Sequence, residues 1–184
     1  LWQRAEEAGL LVVPPFQLLY LYDLVTAIHG WVSYRLGIHS PHLLPHLDEA
    51  YHVIANRSVE SEARKLNISL DDMENLVAQG RFILEPQPNE YIEYFEKVTA
   101  IVREAGFEGL LVLADEAQQY IEPRVRSSSE PITPLFNLVQ MLLTREGYLN
   151  FGLIFIIGLK EVGLIREQRN DLLHRMRQYS LDLT

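Results

Sequence analysis

Gly109-Leu110-Leu111-Val112-Leu113-Ala114-Asp115-Glu116 is an unbroken aliphatic run that stops at two adjacent carboxylates. A run of this length without alternation reads as a strand buried on both faces, as in a parallel sheet. Open parallel sheets bind ligands beyond the carboxyl ends of their strands. The pattern therefore delivers an Asp-Glu pair to the place where such folds do chemistry.

Two further aliphatic runs flank this one. Leu10 to Val13 follows Ala8-Gly9, a helix-stop signal, and reads as a buried strand ended by Pro14-Pro15. Phe151 to Ile157 reads as another buried strand. Between the first two strands the period changes. Leu18, Leu21, Val25, Ile28, Val32 and Leu36 recur at steps of three and four, widened by Leu24 and Trp31, which predicts a long helix over 22–36.

Residues 37–105 hold several helical patterns and no strand. Leu47, Tyr51 and Ile54 share one face. Ser69 is placed to cap a helix over 70–78, with Asp71 and Asp72 in its first turn. Asn89 or Pro88 opens another, carrying Tyr91, Tyr94, Phe95, Val98, Ile101 and Val102. Downstream of the Asp-Glu pair lies a polar loop, 122–133. Thr133 caps and Pro134 opens a helix bearing Leu135, Leu138, Val139, Leu142 and Leu143. A helical stretch over 171–179 closes the chain. The organisation expected is an α/β core begun by residues 1–36, a helical insertion at 37–105, and the rest of the core at 106–184.

At 184 residues the chain is one domain, or one domain with an insertion. Its formal net charge of −9 argues against phosphate neutralisation by the whole surface. A local basic face is open at 166–177, which carries four Arg and one His. There are no cysteines, so disulfides and thiolate metal sites are absent, and a reducing, cytoplasmic setting is the expectation. The opening Leu-Trp-Gln-Arg is not a signal peptide. The most apolar stretch, 10–36, is interrupted by Pro14-Pro15, Asp23, His29 and Arg35, which speaks against a membrane span. The first residue is not Met, and the opening reads like the last turns of a helix feeding a strand. A fragment of a longer protein is expected.

The aliphatic run with Asp115-Glu116, in this order of elements, resembles the Walker B motif of P-loop ATPases of the additional-strand type, the AAA+ and STAND-like proteins. The resemblance implies a parallel-sheet ATPase core. It makes Asp115 the magnesium-side residue, acting through water, and Glu116 the catalytic base or water-positioner. Mg²⁺ suits carboxylate oxygen and water, and phosphoryl transfer is mostly positioning and charge stabilisation. In the family the next strand carries a polar residue near the γ-phosphate; here only Lys160 is at hand. Asp171-Leu-Leu-His-Arg-Met-Arg177 resembles the segment with an arginine finger, which would make Arg175 or Arg177 that finger towards a neighbouring subunit.

One departure is severe. The phosphate-cradling G-x-x-x-x-G-K-[ST] loop occurs nowhere in the chain. In the family it precedes the first helix, so it is expected just before Leu1. Ala-x-x-Gly-Leu-Leu-Val-Val before a long helix, and a helical insertion before Leu-Ala-Asp-Glu-Ala, are similar to large ATPases of bacterial phage-defence systems such as BREX. ATP and Mg²⁺ in the complete protein, a homo-oligomer or larger assembly, and an indirect nucleic-acid link follow from that resemblance.

Other readings of the same residues stay open. Asp and Glu after a strand also suit a helix cap and first turn. Arg175 and Arg177 also suit a solvated helix end, and Lys160 an ordinary loop. The fold could equally scaffold a non-catalytic module whose helical insertion binds a protein partner. A two-metal nuclease site would need a further strand-end carboxylate that the sequence does not place. His39, His42 and His46, with Asp48 and Glu49, are ligand types, but Pro41 and Pro45 break any single helix through them. Asn56-Arg-Ser and Asn67-Ile-Ser match the glycosylation pattern by chance.

Overall fold

The aliphatic run is the middle strand of a three-stranded parallel sheet. In a computed structural model, which describes residues 2–121, 133–144, 150–168, 170, 173 and 174, β1 spans Leu10–Gln17, β2 Gly109–Asp115 and β3 Phe151–Phe155, in the order β1-β2-β3. Gly109 to Ala114 are buried and Asp115 is half-buried, the burial expected of a strand covered on both faces. Leu10 pairs with Gly109 and Leu110 with Phe151, so all three strands point their carboxyl ends the same way.

β1 does not end at Pro14-Pro15, as the sequence suggested. Val13 pairs with Val112 and Phe16 with Ala114, so the two prolines stand opposite Leu113 in a β-bulge and pairing continues to Gln17. Proline is tolerated on an edge strand or in a bulge because no ladder donor is required there, and β1, which borders the sheet among the described residues, supplies both conditions.

A short helix, α1 (Trp2–Glu7), feeds β1 through Gly9, whose φ of 81° is open to glycine without strain. α2 (Asp23–His39) buries Leu24, Val25, Ile28, Val32 and Leu36, and Leu18 and Leu21 are buried just ahead of it. Residues 37–105 contain no strand. They form a 3-10 turn over Pro41–Leu43, then α3 (Leu44–Leu66), α4 (Leu70–Ala78) and α5 (Pro88–Glu104). α6 (Thr133–Thr144) and α7 (Leu159–Gln168) complete the described elements. The loop expected at 122–133 lies outside the described residues except for Thr133. Of the closing helix expected at 171–179, only Leu173 and His174 are described.

The helix ends follow local chemistry. Asn67 closes α3 in the left-handed region, with φ 54°, a conformation its short amide tolerates. Ser69 caps α4: its hydroxyl accepts the Asp72 amide at 3.1 Å. Ser69→Ala should therefore cost about 1 kcal/mol, read as a drop in the urea midpoint with an unchanged slope. Pro88 opens α5 at a position where a missing N–H does no harm. Gln87 and Glu90 form a reciprocal capping box around it.

One sheet face is covered by the largest core cluster. Leu11, Val13, Leu110 and Val112 meet Val25, Ile28 and Val32 of α2, Phe95 and Val98 of α5, and Leu135 and Leu138 of α6. α5 thus packs on the strands as well as on α3. The aromatic rings of Phe95 and Phe151 stack at 4.4 Å, joining α5 to β3. The other face buries Val12, Leu111 and Leu113 beneath Ala5 and Trp2 of α1. A small separate cluster, Val59, Ala63, Met73 and Leu84, holds α4 to α3. Among the described residues no helix is long and apolar enough to cross a membrane.

Two phenols of α5, Tyr91 and Tyr94, are removed from water, and a third, Tyr22, is half-buried. Burial pushes the Tyr91 and Tyr94 hydroxyls well above the ordinary tyrosine value of 10.0. It raises Tyr22 too, reinforced by the Tyr51 hydrogen bond. The folded chain then holds protons that the unfolded chain releases, so this contribution to stability is complete below the ordinary value and is lost as pH climbs above it. Stability measured by urea titration should fall steeply above pH 10.0. It should fall less in Tyr94→Phe, which lacks the ionising group.

Candidate functional site

The site is assembled where β1, β2 and β3 end. Three backbone bonds tie the loops that leave them: Leu18 donates to the Asp115 carbonyl at 3.2 Å, Ile156 to Ala114 at 2.8 Å, and Ala117 to Ile156 at 3.2 Å. Beyond β2 the chain turns at Glu116 and Ala117 and enters a helical segment at 118–121, anchored by buried Ala117, Tyr120 and Ile121. The loop after β1 is pinned by the Asp23 carboxylate, whose Oδ2 accepts the Leu19 and Tyr20 amides, each at 2.8 Å.

Asp115 is half-buried, and its Oδ1 accepts the Glu116 amide at 2.8 Å. That bond runs to the very next residue. A helix N-cap bonds the second or third helical amide, so Asp115 does not cap the segment 118–121. Glu116 is exposed and carries a φ of 49°. A non-glycine residue in the left-handed region costs of order 1–3 kcal/mol, and such residues cluster at functional sites.

Two carboxamides converge on the Glu116 side chain. Gln17 Nε2, from the end of β1, donates to Oε2 at 2.6 Å. Gln119 Nε2, from the segment after β2, donates to the same oxygen at 2.7 Å. No described residue donates to Oε1. The glutamate, which would otherwise sample many rotamers, is held through one oxygen, and among the described residues no donor meets the other.

Neither glutamine was found from the sequence. Gln119 carried a signal, since a residue three positions on lies beside its predecessor in a helical turn. Gln17 carried none. Only the proline bulge, which advances β1 by one residue, sets Gln17 opposite Asp115 and within reach of Glu116.

Lys160 is the second residue of α7 and is exposed. Among the described residues no hydrogen bond or ion pair joins it to Asp115 or Glu116. Arg175 and Arg177 lie outside the described residues. The His39, His42 and His46 side chains are exposed and gather no ligand set; among the described residues no three histidines or carboxylates stand close enough to hold a metal ion. Asp48 instead meets His29 Nε2 at 2.9 Å, and the His29 ring stacks on Tyr51 at 4.3 Å. Ser58 of the first glycosylation-like triplet is buried, its hydroxyl bonded to the Ile54 carbonyl at 2.8 Å.

Mg²⁺ is commonly held by one or two carboxylates, with water and substrate phosphate completing its shell. Asp115 and Glu116 are two carboxylates of that type, and among the described residues no third ligand joins them to make an all-protein cage. No family model, curated protein or solved structure matches the chain.

Proposed function

We propose that this chain is part of a P-loop ATPase of the additional-strand, AAA+-like type. The single observation that carries the reading is the placement of Asp115-Glu116 at the carboxyl end of the middle strand of a parallel sheet, with Glu116 turned outward in a strained backbone conformation. Asp115 would hold the magnesium shell through water. Glu116 would orient and deprotonate the attacking water, work suited to a carboxylate with a free oxygen. Magnesium and the nucleotide phosphates supply charge neutralisation when bound.

The remaining roles extend the same reading. The phosphate-cradling loop belongs to sequence upstream of Leu1. Arg175 or Arg177 acts on a neighbouring subunit of a homo-oligomer or larger assembly, and Lys160 faces the phosphates from the end of the β3 loop. Hydrolysis drives a conformational change in a cytoplasmic, nucleic-acid-linked machine such as a phage-defence complex.

Mg-ATP binding and turnover test this. The 184-residue chain is compared with a polypeptide carrying a further 50–100 or so upstream residues, room for a strand, a loop and a helix. Binding and hydrolysis by the longer form alone support the proposal. Binding by neither form overturns it and favours a non-catalytic module, whose partner surface would be sought on α3 and α4.

A further inference from the structure

We propose that Gln119 is a positioning residue that fixes the Glu116 carboxylate for water activation; this deepens the ATPase reading and rests on it. The position of Gln119 is dictated by the fold. Ala117 is fully buried, with its amide bonded to the carbonyl of Ile156 at the end of β3. Tyr120 and Ile121 are buried in the main core. The Gln119 amide donates to the Glu116 carbonyl at 2.9 Å, closing the turn between them. Three buried anchors thus leave Gln119 on the solvent side of a fixed turn, with its carboxamide 2.7 Å from Glu116 Oε2.

The chemistry of the pair matters as much as its geometry. A glutamate side chain has three rotatable bonds, and holding it in one geometry costs conformational entropy. An amide donor fixes one oxygen without supplying a proton or a compensating charge. The glutamine meets Oε2, so Oε1 carries no bond from it. A lysine or arginine in the same place would form an ion pair and blunt the basicity that water activation needs. Outer partners that orient the ligands of a metal site typically contribute about 10–100-fold to metal affinity or activity, and the same scale is expected here.

The test uses the complete ATP-hydrolysing protein and two substitutions. Gln119→Ala removes the donor; Gln119→Met keeps the length but has neither a donor nor a charge. In a Gln17→Ala background, where the second donor to Oε2 is gone, both should lower kcat about tenfold or more, with KM for Mg-ATP and Tm unchanged from that background. A merely packing role would leave Gln119→Met active. Unchanged or raised kcat in both variants, or a loss matched by a fall in Tm, overturns the assignment. Glu116→Gln in the same assay separates the two claims. If its turnover stays normal, the ATPase reading itself fails, whatever Gln119 does.

Discussion

Phe95→Ala should lower the folding free energy by about 3–5 kcal/mol, the range for removing a buried phenylalanine ring and leaving its cavity. Phe95 is fully buried on α5, and its ring lies 4.4 Å from that of Phe151, with the planes only 13° apart. Tyr91 and Tyr94 close on it from the same helix, at 6.2 and 6.1 Å. The ring sits between the helical layer and β3, so neighbours on both sides lose contacts and cannot easily collapse inward. Small domains have only about 5–15 kcal/mol of stability, so the variant should sit near its unfolding transition. Urea titration gives the answer. A loss under about 1 kcal/mol would mean that α5 does not pack on the sheet as described.

Glu116→Gln in the complete protein should leave Mg-ATP binding within about twofold and cut hydrolysis by 10²–10⁴ or so, the usual contribution of a positioned general base. The substitution is nearly isosteric. Its amide oxygen can still accept from Gln17 and Gln119, which lie 2.6 and 2.7 Å from Oε2 in the native chain. The turn is therefore expected to survive, and the loss to report basicity alone. Tm within about a degree of the parent would confirm that. Normal turnover would mean that Glu116 serves the turn and not the chemistry.

The parts of the fold legible in sequence were those decided by local rules. The run 109–115 announced itself because a strand covered on both faces has no polar side to alternate with. The α2 stripe showed because one helical face is buried, and Ser69 and Pro88 showed because caps are short-range chemistry. What stayed hidden depends on a partner strand or helix. The apolar stripe of α5 gives no hint of whether it covers the sheet, α3 or both. Pro14-Pro15 looked like an ending because its tolerance depends on β1 lying at an edge, which only the assembled sheet defines. The candidate site divides the same way. Asp115 and Glu116 stand where the strand pattern pointed. The glutamines that hold Glu116 become neighbours only through strand register and a closed turn.

The bulge in β1 has a consequence for how this molecule meets others. An edge strand is ordinarily a template, a row of free amides and carbonyls ready to recruit another chain. β1 presents two prolines in mid-strand, and neither has an amide proton to offer. That margin is chemically blunted, so a foreign strand would find its ladder interrupted after Val13. The sheet is in this sense one-sided. Among the described residues β1 borders the sheet, and its proline pair discourages strand pairing there without a charged side chain in the strand.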